Sequence, residues 1–240
     1  MVEEIFQRHK EVVLFYSGGK DSLALLLLLK PYWERVTVVW VDTGNQFPEV
    51  LEHMTKVAAL VPHFIKLKGD TPGFLAKNGF PVDVVPTRAT TFGQFAFGPT
   101  QTTVCNRFEC CNANLWGPMQ AFLFATKPTC VLRADRQTER VKGPSQENGI
   151  EFCFPIWRWT DEQVWEFLRL EAGDLLQDRH FMKHGTSLDC QTCMAYDEEI
   201  PDRLEYLAAH HPKLHEQTVT FFKSYKSLVA SELEKLEVLK

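Results

Sequence analysis

A glycine turn between two apolar runs constrains the fold of this chain more than any other feature. Residues 12–16 read VVLFY, residues 17–22 read SGGKDS, and a leucine-rich block follows over residues 23–29. A second β-branched run, VTVVWV, lies at residues 36–41. Compact runs without alternation are typical of strands that are buried on both faces of a parallel sheet. The order predicts a strand, a turn, a helix over residues 21–30 and a second strand, which together form one βαβ unit.

The turn has several properties of an anion-binding loop. Gly18 and Gly19 allow the backbone to approach an anion closely, because glycine adopts φ values that other residues resist. The helix that follows presents unpaired N–H groups and the positive end of its dipole. Lys20 adds a mobile cation, and Ser17 and Ser22 add hydroxyl donors. The pattern is neither the Walker loop nor GxGxxG. A plain strand-to-helix turn with a serine cap is the alternative.

Composition indicates an ordinary globular protein with a substantial core. The chain has 240 residues, of which 45% are hydrophobic and 24% charged, and its net charge is −5. This charge argues against a broad surface that coats nucleic acid, although a local basic groove remains compatible with it. The leucine block is too short to cross a bilayer, and the first residues lack a secretory apolar region. We therefore expect a cytoplasmic protein without a membrane partner.

The remaining periodicity predicts further elements of an α/β fold. Helices are expected over residues 49–60 and over residues 161–171, the latter capped by Thr160. Strands are expected at residues 63–67 and 128–133, and the segment 201–239 reads as helical with a break at Pro212. Residues 69–106, which are rich in Gly, Pro, Thr and Phe, read as long loops.

Four segments together resemble one enzyme family. SGGKDS resembles the pyrophosphate loop of the adenine-nucleotide α-hydrolase superfamily, the PP-loop enzymes. VDTGNQFPEV (41–50), RADRQTER (133–140) and FPIWRWTDEQVWEFL (154–168) resemble segments of its phosphoadenosine-phosphosulfate (PAPS) reductase family. The resemblance implies a Rossmann-like α/β fold, with a parallel twisted sheet flanked by helices and a helical C-terminal region. It also implies a PP-loop domain over residues 1–195 and a helical extension over residues 196–240 packed on it.

The resemblance also implies a nucleotide site and a set of catalytic residues. The implied nucleotide-binding residues are Ser17, Gly18, Gly19, Lys20, Asp21, Ser22, Asp42, Thr43 and Gly44. The implied catalytic residues are Lys20, Asp21, Arg133, Arg136 and Arg140, with the arginines facing an acceptor substrate. Asp42 ends a strand, which is where open α/β sheets place groups that bind a ribose or a base. Arg136 and Gln137 replace a Glu and a Ser of the family pattern. Mg²⁺ is expected with ATP.

Four of the seven cysteines form two pairs, Cys110–Cys111 and the CxxC of Cys190 and Cys193. An odd number of cysteines in a cytosolic chain indicates metal or redox use rather than disulfides. A CxxC alone is compatible with zinc or redox chemistry. On this fold the two pairs resemble the 4Fe–4S ligand set of adenylylsulfate (APS) reductases, with zinc as the alternative metal. We expect Cys105, Cys130 and Cys153 to be buried structural thiols.

The chain also departs from the reductases. Their nucleophilic cysteine lies near the C-terminus in a Glu-Cys-Gly-Leu-His motif, and here no cysteine follows Cys193. Their nucleotide loop is usually degraded, whereas SGGKDS is intact. These departures favour an enzyme that cleaves ATP to AMP and pyrophosphate and activates an acceptor for sulfur transfer, as in nucleic-acid thiolation or phosphorothioation. Its partners would be ATP, nucleic acid and a sulfur donor such as a cysteine desulfurase. The alternatives are an APS or PAPS reductase that releases sulfite, and a non-catalytic nucleotide-binding iron–sulfur redox sensor.

Overall fold

A computed structural model describes residues 2–139, 143–177, 190–195 and 200–235, and the chain divides into two compact units. The first unit comprises Met1–Asp42, Phe47–Lys68 and Pro118–Ser187. The second unit comprises Thr43–Gln46, Gly69–Gly117 and Leu188–Lys240. These units are defined by compactness, and the predicted extension that begins at residue 196 stays a prediction.

Helices and strands alternate over much of the chain. The helices are α1 (Val2–Arg8), α2 (Lys20–Leu28), α3 (Pro48–Leu60), α4 (Thr71–Asn78), α5 (Thr91–Phe97), α6 (Arg107–Cys111), α7 (Gly117–Thr126), α8 (Asp161–Glu171), α9 (Ile200–His210) and α10 (Pro212–Glu234). The strands are β1 (Val12–Phe15), β2 (Val36–Asp42), β3 (Phe64–Lys68), β4 (Phe80–Val82), β5 (Val104–Asn106), β6 (Cys130–Leu132), β7 (Ser145–Glu147) and β8 (Ile150–Cys153).

The first unit contains a six-stranded sheet in the order β3-β2-β1-β6-β8-β7. All neighbouring strands are parallel except β7 and β8, which form an antiparallel edge. Val13 of β1 lies opposite Thr37 of β2 on one side and opposite Val131 of β6 on the other. The predicted Rossmann-like parallel sheet is confirmed. Its strand order reverses at β1, so β1 and β6 flank the switch point where such sheets bind ligands.

The leucine block forms α2, which is buried on nearly all sides. Leu23, Leu25 and Leu26 have no exposed surface. A helix that is apolar all round belongs in a protein interior, because it has no polar face to present to water. The burial of α2 therefore fixes the glycine turn that precedes it against the core of the first unit.

The second unit corrects the expectation of long loops over residues 69–106. This segment contains α4, β4, α5 and β5, and the two strands pair in parallel. Asp70 caps α4 by accepting a 3.0 Å hydrogen bond from the Gly73 amide, and Thr90 caps α5 by accepting one of the same length from the Gly93 amide. The threonines and glycines that suggested loops instead begin and end short helices.

Other local predictions are confirmed. Thr160 and Gln163 form a reciprocal capping box at the start of α8, and Pro212 separates α9 from α10. In the second unit, Phe221 and Tyr225 of α10 pack in a core with Val82 and Val104. Among the described residues, no helix has both the length and the apolar character needed to cross a bilayer.

An ionic contact attaches α1 to strand β8 in the first unit. Arg8 Nη2 donates to Glu151 Oε1 at 2.7 Å, and His9 Nε2 lies 2.6 Å from Glu151 Oε2. The hydrogen bonds from Arg8 and then from His9 lower the pKa of Glu151 from 4.5 to about 2. Its charged form is thus favoured by folding.

We expect Glu151→Gln to change how stability depends on acid. A carboxyl group whose pKa is lowered by folding stabilises the protein above its unfolded pKa, and this contribution disappears as pH falls through the folded pKa. The parent protein should therefore lose stability between pH 4.5 and about 2 through this group. Melting temperatures measured from pH 6 downward, over roughly four pH units, should fall less steeply for the variant than for the parent protein. Identical slopes would contradict a role for Glu151.

Candidate functional site

The carboxyl ends of β1 and β6 position the candidate site in the first unit. The SGGKDS loop begins two residues after β1, and residues 133–139 follow β6 directly. Because β1 and β6 are adjacent and parallel, both segments leave the sheet at the same edge. The sheet order alone therefore brings the glycine loop and the arginine-containing segment together.

The backbone of the loop has a shape that requires glycine at residue 18. Gly18 has φ of +91°, and a Cβ built there would lie 2.5 Å from Met54 Cε. Gly19 is the N-cap of α2 and offers no side chain to cap the first helical turn. The first amides of an α-helix have no partner within the helix, so anion binding at this turn stays a prediction.

The two serine hydroxyls fix the loop's shape. Ser22 Oγ accepts a hydrogen bond from the Gly18 amide at 3.1 Å and donates to the Gly19 carbonyl at 2.8 Å. Ser17 Oγ accepts from the Gly19 amide at 3.3 Å. In this structure the two hydroxyls therefore hold the loop in shape, and they accept the hydrogen bonds of the Gly18 and Gly19 amides.

Two cations and two carboxylates alternate beside the loop. Lys20 Nζ lies 2.8 Å from Asp21 Oδ2 and 2.9 Å from Asp161 Oδ1. Arg136 Nη2 also lies 2.9 Å from Asp161 Oδ1, and Arg136 Nε lies 2.8 Å from Asp21 Oδ1. The side chains of Lys20, Asp21 and Arg136 are mostly buried, whereas half of the Asp161 side chain is exposed. Glu139 Oε1 lies 3.9 Å from Arg136 Nη2, so a third carboxylate adjoins the two cations, and the cluster opens to solvent at Asp161.

The cations favour the ionised form of Asp161. The hydrogen bond from Lys20, followed by the charges of Lys20 and Arg136, lowers the pKa of Asp161 despite partial burial. Arg136 Nε and Asp21 Oδ1 are close but misaligned, and neither buried atom has a hydrogen-bond partner among the described residues. A buried polar pair in this state has unused capacity to bind a ligand or a water molecule.

A pocket of about 540 Å³ adjoins this cluster within the first unit. Its lining residues are Arg136, Gln137, Thr138, Trp157, Arg158, Trp159, Thr160, Asp161 and Glu162. This volume lies within the usual range for small-molecule sites. The contact of Asp161 with Lys20 was not predicted, because residue 161 reads in the sequence only as the start of a helix. The signal was an acidic residue at the first position of α8 within the TDE segment that resembles the PAPS reductases.

The three arginines of residues 133–140 are not equivalent. Arg136 belongs to the charged cluster, whereas Arg133 binds Asp135 through Nε at 2.7 Å and Nη2 at 2.9 Å. Arg133 also lies over the Phe154 ring and is partly exposed. Arg140 lies outside the described residues. Of the two described arginines, Arg136 is therefore the one that lies beside the glycine loop.

The predicted residues 42–44 are divided between the two units. Asp42 ends β2 in the first unit, where Lys66 Nζ lies 3.3 Å from its Oδ2. Thr43 and Gly44 belong to the second unit, and Gly44 has φ of +75°.

Within the second unit, the turn that contains Thr43 is bonded to the CxxC segment. Thr43 Oγ1 lies 3.3 Å from Cys190 Sγ, the Gln191 amide donates to the Asn45 carbonyl at 2.8 Å, and Asn45 Nδ2 donates to Thr192 at 2.5 Å. These contacts join residues about 147 positions apart, which is why sequence patterns did not reveal them.

The four predicted metal-ligating thiols all lie in the second unit. Cys110 is buried, and its sulfur accepts a 3.7 Å hydrogen bond from Asn114 Nδ2. Burial raises the pKa of the Cys110 thiol, and it raises that of the neighbouring Cys105 to about 12. Four thiolates are the ligand set that a 4Fe–4S cluster or a structural zinc ion requires, so the residue types fit either group.

The described residues do not converge into a formed metal site. No group of three or more His, Cys, Asp or Glu side chains among them is placed to hold a metal ion. The assignment of Cys110, Cys111, Cys190 and Cys193 as ligands stays a prediction. Cys105, Cys130 and Cys153 are buried, as expected.

The family resemblance is confirmed over part of the chain. Residues 11–76 match the family model of the phosphoadenosine phosphosulfate reductase domain. This segment contains β1, the glycine loop, β2 and the DTGNQFPEV segment. The match therefore covers the elements from which the nucleotide site was predicted.

Individual relatives are distant. An uncharacterized protein of Methanocaldococcus jannaschii is 25% identical over 191 residues, which are 75% of this chain and 40% of that protein. The chain thus spans about two fifths of the length of this curated relative.

Two solved structures are also similar. Phosphoadenylyl-sulfate (PAPS) reductase from Candida auris, in a phosphate complex, has a TM-score of 0.48 and 20% identity over 67% of this chain and 72% of that chain. NH3-dependent NAD synthetase from Campylobacter jejuni has a TM-score of 0.43 and 18% identity over 88% of this chain and 83% of that chain.

Proposed function

We propose that this protein is an ATP pyrophosphatase that adenylates an acceptor for sulfur transfer. The observation that carries the proposal is the intact SGGKDS loop at the switch point of the sheet, with Lys20 and Arg136 beside it. The N-terminus of α2 and two cations together suit a multiply charged phosphate group. The β- and γ-phosphates of ATP would occupy this loop.

The two ion pairs of Lys20 allow it to exchange a carboxylate partner for a phosphate. Its ammonium group bridges Asp21 and Asp161, and Asp161 is the more exposed of the two. An arriving phosphate would replace Asp161 as the partner of Lys20, because a phosphate oxygen forms the same charge-assisted bond. Such an exchange keeps the ammonium group paired before and after binding.

Arg136 would act as a fixed cation on the side of the site that the glycine loop forms. Its guanidinium group is buried and contacts Asp21 and Asp161, so its position is fixed before a ligand arrives. A preorganised cation stabilises charge that develops on a leaving group without reorganising during the reaction. Arg136 is thus proposed to stabilise the departing pyrophosphate.

Asp21 and Asp161 are the residues that would hold Mg²⁺ with bound ATP. Their carboxylates lie on either side of Lys20. Mg²⁺ is usually bound by one or two carboxylates together with substrate phosphates, so this pair fits the ion. When bound, Mg²⁺ neutralises phosphate charge.

The proposed reaction transfers the adenylyl group to the acceptor. A nucleophilic atom of the acceptor attacks the α-phosphorus, the bond from that phosphorus to the bridging oxygen breaks, and pyrophosphate leaves. The outer sulfur of a persulfide, such as one carried by a cysteine desulfurase, would then displace AMP and form a disulfide between acceptor and donor, which a thiol reductant would cleave. Product analysis after incubation with ATP and Mg²⁺ tests the first step. With water as the nucleophile in place of the acceptor, AMP and pyrophosphate are expected in equal amounts, whereas ADP and phosphate would contradict the proposal.

The thiol pairs of the second unit are proposed to hold a 4Fe–4S cluster. Cys110, Cys111, Cys190 and Cys193 would supply its four thiolates. The bonds between Thr43 and Cys190 and between Asn45 and Thr192 support a link between this site and the nucleotide-binding turn. When bound, the cluster would supply electron transfer or a site for sulfur.

Metal analysis should separate the cluster from zinc. Protein purified without oxygen is expected to contain iron and acid-labile sulfide in equal amounts, about four of each per chain. Cys110→Ser should remove most of both, because three thiolates hold a cluster less well than four. Cys130→Ser, in the first unit, is the matched control and should retain them. Zinc without sulfide in the parent protein would contradict the cluster.

A sulfonucleotide reductase is the second candidate. It is favoured by the family-model match over residues 11–76, which bears the PAPS reductase name. This candidate predicts sulfite release from APS or PAPS in the presence of a thiol donor. The same preparation, supplied with ATP alone, would then release no pyrophosphate.

A further inference from the structure

Two buried thiols are in contact across neighbouring strands of the first unit. Cys130 begins β6 and Cys153 ends β8, and the Cys130 thiol donates a 3.8 Å hydrogen bond to the Cys153 sulfur. The parallel register places Cys130 opposite Glu151 and Leu132 opposite Cys153. Because side chains two residues apart on a strand share a face, Cys130, Glu151 and Cys153 lie on the same side of the sheet. The proposed ATP reaction gives neither thiol a role.

The two sulfurs are close enough to bond after a small rearrangement. They are 3.8 Å apart. The sulfurs of a disulfide are about 2 Å apart, so this pair would have to approach by about 1.8 Å. Cys130 and Cys153 are offset by two positions in the register rather than directly opposite. A cross-link at this offset would pull β6 and β8 along each other, and strained disulfides are the more easily reduced ones. The geometry therefore favours a reversible bond.

Hydrogen bonds give the two thiols different reactivity. Cys130 donates to Cys153, and the Cys153 thiol lies 3.3 Å from Glu151 Oε1. The hydrogen bond from Cys130 lowers the pKa of the Cys153 thiol, whereas the same bond, together with burial, raises the pKa of Cys130. Because the thiolate is the nucleophilic form, Cys153 is the sulfur that we expect to react first.

Cys153 is also the more accessible sulfur of the pair. Cys130 has no exposed surface, whereas Cys153 is 7% exposed and the side chain of its neighbour Glu151 is 32% exposed. The edge strand β7 pairs with residues 150–152 of β8 and stops short of Cys153. These features favour attack on Cys153 by a small oxidant over attack by a large one.

We propose that Cys130 and Cys153 form a redox-active thiol pair that hydroperoxides oxidise to a disulfide. The Cys153 sulfur attacks a peroxide oxygen, the O–O bond breaks, and water or an alcohol leaves with the thiol proton, so that Cys153 becomes a sulfenic acid. The Cys130 sulfur then attacks the Cys153 sulfur, the S–O bond breaks, and the departing hydroxide takes the Cys130 proton as water. The two thiols thus lose two electrons, which reduce the peroxide, and a dithiol reductant returns them.

Peptide mapping of the full chain after treatment with hydrogen peroxide tests the proposal. The folded protein receives a small molar excess of peroxide, is quenched with N-ethylmaleimide in denaturant, and is digested with trypsin and chymotrypsin. Peptides linked through Cys130 and Cys153 are expected in the parent protein and should separate after treatment with dithiothreitol. Cys105→Ser is the matched control. Cys105 is a buried thiol of the second unit whose pKa is raised to about 12, and its removal should leave the link unchanged.

Serine substitutions separate the roles of the two sulfurs. Cys130→Ser removes the second sulfur but keeps a hydroxyl group that can donate to Cys153. Cys153 should therefore accumulate as a sulfenic acid, which dimedone traps when it is added with the denaturant. Cys153→Ser removes the attacking sulfur, so Cys130 should stay reduced and give no dimedone adduct. A pair that only fills the core would show no such asymmetry.

Three results would overturn the proposal. These are two reduced thiols in the peroxide-treated parent protein, a link from Cys153 to a cysteine other than Cys130, and equal dimedone labelling of residues 130 and 153 in the two serine variants. The experiment uses neither ATP nor a metal ion. Its failure would therefore leave the ATP reaction standing, and a failure of ATP cleavage would leave the thiol result valid.

Discussion

Replacing Lys20 by alanine is expected to lower ATP-dependent pyrophosphate release about 100- to 1000-fold. The lysine supplies the mobile cation of the glycine loop, and its ammonium group lies within 3 Å of two carboxylates that a phosphate can displace. Removing one group that stabilises transition-state charge has effects of this size in other enzymes. Coupled assays of pyrophosphate, run at saturating and limiting ATP, would measure both kcat and kcat/KM.

Lys30→Ala is the matched control for this variant. Lys30 is an exposed lysine that follows α2, the helix whose first residue is Lys20. Its removal should leave pyrophosphate release unchanged. If Lys20→Ala kept the rate of the parent protein, Lys20 would have no role in the reaction, and the proposed use of the loop would be wrong.

Replacing Arg136 by alanine is expected to lower the free energy of unfolding by about 3 kcal/mol. The buried guanidinium contacts Asp21 and Asp161, and its removal leaves Lys20 as the one cation beside Asp21 among the described residues. Breaking a buried ion pair from one side is strongly destabilising, and partial exposure of both carboxylates places the expected effect at the lower end of the usual range. Urea unfolding followed by tryptophan fluorescence would measure the change.

Arg133→Ala provides the comparison for Arg136→Ala. Arg133 lies three residues away, pairs with neighbouring Asp135 alone among the described residues, and has a side chain that is 42% exposed. Exposed pairs of this kind contribute at most about 1 kcal/mol. Equal decreases in the free energy of unfolding for the two substitutions would show that the burial of Arg136 does not increase its contribution to stability.

Local sequence patterns predicted the elements that form the site. The βαβ unit followed from two β-branched runs around a glycine turn, and the start of α8 followed from Thr160 and Gln163. These features depend on residues a few positions apart, so propensity and capping are enough to predict them. The position of the loop at the switch point was not predicted and follows from the sheet order.

Contacts between distant residues were not predictable from these patterns. Asp161 meets Lys20 across about 140 positions, and Thr43 meets Cys190 across 147 positions. Such pairs depend on how strands are ordered, which a single sequence does not encode in any short motif. The loops expected over residues 69–106 were wrong for a different reason: Thr90 and Asp70 act there as helix caps, a role that resembles turn chemistry in sequence.

Binding of different adenine nucleotides to the parent protein tests the central claim most directly. Calorimetric titrations with AMP, APS and ATP, each with Mg²⁺, compare ligands that share the adenosine and the α-phosphate but differ beyond it. If the glycine loop and Lys20 bind the β- and γ-phosphates, ATP should bind at least about tenfold more tightly than AMP or APS, because charge-assisted hydrogen bonds contribute about 1.5–3 kcal/mol each. Equal affinity for ATP and AMP, or tighter binding of APS than of ATP, would contradict the account.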